Sequence, residues 1–294
     1  MVRYVSVLKI KAYAKVNLFL DVTGRRENGY HDVLTVMQSV SLSDTLTVER
    51  TQGEGVALDT GGVLPADDSN LICKAAKAYF AVTGAPFGVR VVLEKSIPMQ
   101  AGMGGGSADA AAMLRALNTL DGDLLSDDEL CRIAAGLGAD VPFCLMGGTR
   151  LCRGIGEVME PVPNRLSGTL VVAIGGEGVS TPVAFAALDA AYGNFKTARS
   201  GADVAPLLSA MEKGVATAAA PHFFNVFESV ICPQRPFVGR IKDILLVHGA
   251  VAAMMSGSGP SVWGLFDDPA AARRAKEALL QQGARAYCCE MIQA

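Results

Sequence analysis

Pro98-Met99-Gln100-Ala101-Gly102-Met103-Gly104-Gly105-Gly106-Ser107-Ala108 is the stretch on which the reading of this chain turns. It follows a strand-like run, Val89 to Leu93, and leads into Asp109-Ala110-Ala111-Ala112-Met113-Leu114-Arg115-Ala116-Leu117. Alanine and leucine are strong helix formers, so a helix is predicted from Ser107 to about Leu120. Glycines let backbone N–H groups approach an anion with no Cβ in the way. A helix start adds unpaired N–H groups and the positive end of its dipole. Together they describe a phosphate cradle. A P-loop would end in Gly-Lys-Ser/Thr, and the chain has no Gly-Lys pair. A dinucleotide fingerprint would need a third glycine where Ser107 stands. Ser107 is placed to cap the helix, or to reach a phosphate or Mg²⁺. A tight turn with a helix cap and no ligand is the alternative this segment leaves open. Asp109 suits the helix dipole but would repel a phosphate, so it either points away or works through a cation.

Outward from the loop, 294 residues suit two domains rather than one core. Half of the residues are apolar and 19% are charged, an ordinary globular balance. Net charge is −3 with both signs scattered, and no run of about five basic residues occurs, which argues against nucleic-acid and membrane-surface partners. None of the seven cysteines lies in a C-x-x-C pair, and His31, His222 and His248 lack ligand spacing. Reduced, buried thiols are expected, and no metal ligand is assigned. The chain shows no signal-peptide pattern and no run approaching about 18 apolar residues, so a cytoplasmic location is expected.

Val5 to Asp21 reads as one or two strands, Gly24 to Gly29 as a polar turn, and Leu46 to Arg50 as a strand. Asn70 to Val82 has helical spacing, stopped by Gly84 and Pro86. Ser126 and Glu129 form a capping-box pattern opening a helix that ends near Gly136 to Gly138. A strand through Cys152 runs to Pro161 and Pro163, where a domain boundary is expected, dividing the chain into 1–162 and 163–294. Beyond it come a strand from Gly168 to Ile174 and helices at Pro182 to Ala191, Val204 to Gly214 and Phe237 to His248. Strands Gly249 to Met255 and Ser261 to Asp267, a helix Pro269 to Gln282 and a strand Ala284 to Met291 follow. The class is α+β, with helices on one face of an antiparallel sheet.

The stretch from Pro98 to Ser107 resembles the second motif of the GHMP kinases. Ala14-Lys15-Val16-Asn17-Leu18 looks like the family's first motif, and Ser256-Gly257-Ser258-Gly259-Pro260 like its third. The three come in the family's order and span nearly the whole chain. Gly24 to His31 and Leu137-Gly138-Ala139-Asp140-Val141-Pro142-Phe143 are similar to a narrower branch, which phosphorylates a cytidyl-diphosphate sugar alcohol of the non-mevalonate isoprenoid route. The resemblance implies a two-domain GHMP kinase fold, with a ribosomal-protein S5-like N-terminal domain and a ferredoxin-like C-terminal domain. It also implies ATP and Mg²⁺, and a substrate site fed by residues of both. It leaves open a homodimer, and another small alcohol, of the homoserine or mevalonate type, as substrate. A nucleotide-binding module without catalysis is the third reading.

What the resemblance implies residue by residue is as follows. Residues 98–108 hold the ATP phosphates. Asp140, in a turn before Pro142, orients the attacking hydroxyl and takes its proton. A carboxylate is too weak a base to strip an alcohol beforehand, and late proton transfer suits a loose phosphoryl transition state. Lys15, costly to bury alone, is expected to pair with Asp140 and to stabilise the transferring charge. Asn17, on the same strand face as Lys15, contacts substrate. Tyr30 and His31 read the cytosine by stacking and hydrogen bonding. Thr181 lies near the sugar alcohol, although an N-cap before Pro182 is an equal reading. Ser256 to Gly259 closes over the phosphates or shapes the loop. Asn225-Val226-Phe227-Glu228 matches a family segment without assigned chemistry, and Trp263 is expected in the core.

Overall fold

The computed structural model describes residues 6–195 and 200–293. The N-terminal elements are β1 (Val7–Arg25), β2 (His31–Thr51), β3 (Val56–Asp59), α1 (Leu71–Thr83) and β4 (Gly88–Glu94). Then come α2 (Gly105–Leu120), α3 (Asp127–Ala135), α4 (Val141–Met146), β5 (Thr149–Arg153), β6 (Val158–Pro161) and β7 (Thr169–Ile174). They are followed by α5 (Thr181–Ala191), α6 (Ala205–Lys213), α7 (Ala216–Ala219), β8 (Phe224–Asn225), α8 (Glu228–Ile231) and α9 (Pro236–Val247). The chain closes with β9 (Ala252–Met255), β10 (Val262–Phe266), α10 (Pro269–Gln281) and β11 (Arg285–Cys289). No described helix is long and apolar enough to cross a membrane.

Contacts group the chain into two units. The first takes the described part of 1–14 with 42–99 and 104–147, the second 15–41, 100–103 and 148–294. The grouping is not a single cut, because β1 and β2 are long enough to serve both.

In the first unit β2 runs antiparallel to β4, from Thr45 opposite Glu94 to Thr51 opposite Gly88, and β3 lies parallel to β4. Helices α1, α3 and α4 pack around α2. That helix is buried on most of its faces, from Ala108 to Leu114 and again at Ala116, Leu117 and Leu120, which its alanines allow by keeping the neighbours close. Asn70 caps α1 through its side chain on Ile72 N, and the Ser126–Glu129 capping box opens α3 as expected.

In the second unit β8 pairs parallel with β1 at Phe19 and Leu20, and β5 pairs antiparallel with β2 from Thr35 to Gln38. A separate antiparallel sheet has the order β11-β7-β10-β9. With α9 between β7 and β9, and α10 between β10 and β11, this is the β-α-β-β-α-β arrangement of a ferredoxin-like domain. Its core joins Val171, Ala173, Ile241, Leu245, Phe266 and Leu279 to Leu20 and Val22 of β1.

Several expectations need correction. The first strand runs on to Arg25, beyond Asp21 and into the predicted turn, while Val5 lies outside the described residues. The strand expected over Leu46 to Arg50 is the tail of the 21-residue β2. Only that tail alternates buried and half-buried positions; Thr35 to Val40 is buried on both faces and carries no period-2 signal. The helix after the loop starts at Gly105, two residues before Ser107. The turn expected at Asp140 is present, and Asp140 is the N-cap of the short helix α4 that follows it.

Candidate active site

In the second unit Lys15 and Asn17 are two apart on β1 and share a face, each less than 5% exposed. Lys15 Nζ donates to Asn17 Oδ1 at 2.9 Å. Asn17 is held at every polar group. Its Nδ2 donates to Thr35 Oγ1, its N–H to Ser256 Oγ, and its carbonyl accepts from the indole of Trp263. Trp263 is fully buried, as expected of a core residue. Ser256 Oγ also lies 3.4 Å from Asn17 Oδ1 and from Gly102 O.

The same unit brings the first part of the glycine loop to this place. Lys15 N–H donates to Met103 O at 3.0 Å, and Ser261 N–H to Ala101 O at 3.3 Å. Gly102 has φ +73°, and a Cβ there would lie 2.6 Å from Ser256 O. The first, second and third motifs therefore meet at Lys15, Asn17, Gly102 and Ser256. Asn225, given no chemistry from the sequence, holds the third motif by donating its Nδ2 to Met255 O and Gly257 O. A buried asparagine in an apolar segment was the signal for it.

In the first unit Gly104, at φ +69°, is the N-cap of α2 and supplies no side-chain cap. Ser107 does not cap the helix; it lies in the first turn. The early N–H groups of a 16-residue helix thus lack a side-chain acceptor of their own, which suits an anion such as a phosphate.

Asp109 is buried in the second turn and is tied to a cation. Lys95 Nζ donates to Asp109 Oδ2 at 2.8 Å and to Asp44 Oδ2 at 2.5 Å. Asp44 Oδ1 accepts from the backbone N–H groups of Ser96 and Ile97. A Cβ on Gly105 would lie 3.4 Å from Lys95 Nζ, so this ion cluster sits against the first turn of α2. Burial pushes the Asp109 carboxyl up to about 7, and Lys95 opposes the shift while Asp44 adds to it. The two aspartates hold the Lys95 pKa above its ordinary value despite burial. Asp109 Oδ1 is buried without a partner. Sequence reasoning missed Lys95 and Asp44 because they are 51 residues apart. Asp140 occupies the N-cap position of α4 with helical φ and ψ, and its side chain makes no capping bond.

Tyr30 is 61% exposed at the mouth of the β1–β2 turn, whereas His31 is buried. His31 stacks on Phe185 at 4.5 Å and hydrogen-bonds Asp189 through Nε2 at 2.7 Å. Both partners lie on α5. Thr181 is the first residue of that helix rather than its N-cap, which is Ser180, and its hydroxyl pairs with Ser258 Oγ at 3.0 Å. Thr181, Phe185 and Asp189 are four apart and share one helix face. That face joins the third motif to His31 over ~12 Å.

Among the described residues no group of three or more histidine, cysteine or acidic side chains could hold a metal ion.

Two family profiles match the chain: GHMP kinases N terminal domain over residues 70–148 and GHMP kinases C terminal over 207–285. A 4-diphosphocytidyl-2-C-methyl-D-erythritol kinase of Moorella thermoacetica is 42% identical over 270 residues, covering 92% of this chain and 93% of the relative. The enzyme of the same name from Caldicellulosiruptor bescii is 38% identical over 273 residues, covering 92% and 94%. A crystal structure of 4-(cytidine 5'-diphospho)-2C-methyl-D-erythritol kinase superposes with a TM-score of 0.83 at 35% identity, covering 98% of this chain and 100% of that one. A homoserine kinase from Cytophaga hutchinsonii, at 20% identity and TM-score 0.79, shares the fold.

Proposed function

The chain belongs to the GHMP kinases and is an ATP-dependent small-molecule kinase, and we propose that it phosphorylates a hydroxyl of 4-diphosphocytidyl-2-C-methyl-D-erythritol. The observation that carries this choice is the shared face of α5. One helix touches the third motif through Thr181 and the buried imidazole of His31 through Phe185 and Asp189. A span of ~12 Å suits an elongated substrate with a base at one end and a reacting alcohol at the other. Relatives at 38% and 42% identity bear the name of that kinase, which supports the same choice.

In this reading the backbone N–H groups at the start of α2 and around Gly102 to Ser107 receive the ATP phosphates, with Pro98 to Ala101 and Ala108 shaping the approach. Asn17 holds the acceptor end of the substrate beside Lys15. Thr181 binds the sugar alcohol, and Tyr30 stacks on the cytosine that His31 reads. Asp140 orients the acceptor hydroxyl and takes its proton late in the transfer. Lys15 lends positive charge as the phosphoryl group moves. Mg²⁺ held with ATP would supply neutralising charge to the phosphates, and the Ser107 hydroxyl is the side chain that would help to hold it; a cation carried by phosphates needs few protein ligands. The division into N-terminal domain 1–162 and C-terminal domain 163–294 belongs to the same proposal, and the profile matches on either side of that cut support it. A cytoplasmic location, with diffusible small-molecule partners and no nucleic acid or membrane, belongs to this proposal as well.

ADP release measured across a panel of alcohols tests the substrate. Turnover is expected with the cytidyl substrate and Mg-ATP; comparable kcat/KM with homoserine or mevalonate would overturn the choice. Asp140→Asn and Lys15→Met are each expected to lower kcat by roughly 10²–10⁴. Near-normal kcat in Asp140→Asn would remove that residue from the chemistry.

A further inference from the structure

Two contacts fix the His31 ring more tightly than burial requires. Phe185 lies against its face, with centroids 4.5 Å apart and planes 22° apart, and sets the plane. Asp189 Oδ1 lies 2.7 Å from Nε2 and sets the rotation within that plane. The other oxygen of the carboxylate is 3.4 Å from Arg25 Nη1, and that guanidinium nitrogen donates in turn to Asn194 Oδ1 at 2.8 Å. Arg25 thus orients the group that orients the histidine.

We infer that Asp189 is a positioning residue that fixes the tautomer of His31, so that Nδ1 presents a lone pair to the substrate base and selects cytosine over uracil. The inference rests on the proposed cytidyl substrate and goes one step further, to the atom that reads the base. A carboxylate only accepts hydrogen bonds, so the hydrogen of a neutral imidazole must sit on Nε2. Nδ1 then accepts, and it makes no other hydrogen bond among the described residues. Cytosine offers an exocyclic N–H donor on its edge, where uracil offers a carbonyl oxygen. A lone pair facing a lone pair leaves both groups desolvated and unpaired, which is how a polar site rejects a near-isostere. Neither Phe185 nor Asp189 is within reach of local sequence reasoning, since each lies more than 150 positions from His31.

The test compares kinetics on the cytidyl substrate and its uridyl analogue for the full chain and for Asp189→Asn, Asp189→Glu and His31→Ala. An asparagine amide can donate as well as accept, so it no longer dictates the tautomer. Asp189→Asn is expected to raise KM for the cytidyl substrate about tenfold and to reduce cytidyl-over-uridyl selectivity about tenfold, the scale of one hydrogen bond. Its kcat and its KM for ATP should stay within about twofold. Asp189→Glu should recover part of the selectivity. Unchanged selectivity in Asp189→Asn, or equal losses for both bases, would overturn the inference. If His31→Ala keeps both KM and selectivity, base reading by His31 fails; if His31→Ala loses selectivity and Asp189→Asn keeps it, only the role of Asp189 fails. Long-range ¹H–¹⁵N spectra of the unliganded protein give a check independent of activity. The Nε2–H tautomer is expected for His31, and an Nδ1–H tautomer would overturn the inference.

Discussion

A β-carbon at position 102 would lie 2.6 Å from the carbonyl oxygen of Ser256, and the backbone there sits at φ +73°. Both the contact and the dihedral forbid a side chain, so Gly102→Ala is expected to destabilise the protein by ~1–3 kcal/mol and to raise KM for ATP. Thermal unfolding and ATP kinetics check the two effects separately. Asp109 makes a different prediction. Its folded-state pKa of about 7 lies above the ordinary 3.8, so the folded protein holds a proton that the unfolded chain releases. That contribution is present at low pH and is lost as pH rises from about 4 to about 7, with a slope of up to ~1.4 kcal/mol per pH unit. Asp109→Asn carries no such proton. Denaturant unfolding of the two proteins between about pH 5 and pH 8 should show the wild type losing stability relative to the variant, with the gap levelling off above about 7. Parallel curves would mean that Asp109 is ionised throughout.

At the scale of elements, the capping box of α3 offers a clean separation of stability from activity. Ser126 and Glu129 each bond the other's backbone N–H, on a helix exposed along one side. Ser126→Ala is expected to lose ~1 kcal/mol and about 2 °C of Tm, with kinetics unchanged. A change in KM would couple α3 to the site. This box was legible in four residues, as was α2 from its alanines and the tight turn before it from its glycines. All three are local signals. What stayed hidden is non-local. The buried half of β2 carries Gln38 and Ser39 between apolar residues and looks irregular until β5 and the C-terminal residues pair with it. The cation beside Asp109 comes from the end of β4, and the partners of His31 from α5. The residues Lys15 and Asn17 were readable from their motif, but the hydrogen bonds that lock Asn17 to Ser256 and Trp263 span more than 230 positions.

On the scale of the whole molecule, the second unit is assembled from both ends of the chain. Leu20 and Val22 belong to the core that also holds Val171, Phe227 and Phe266, and β8 takes its partner from β1. A fragment of residues 163–294 alone would leave that core open, and it is expected to bind hydrophobic dyes and to unfold without a cooperative transition. Cooperative unfolding near the parent Tm would show that residues 15–41 are dispensable to it. The closing contacts are the most distant in sequence. Ser41 N–H donates to Glu290 O, Ile292 N–H to Ser39 O, and Val40 bridges Met291. On a ribosome adding ~5–20 residues per second, β2 emerges on the order of tens of seconds before these partners exist. Lys15 and Asn17 are likewise made long before Ser256 and Trp263, which close over Asn17. Until those partners exist, a nascent strand with an ammonium group in its middle waits in water, and that charge guards it against sticking to other chains.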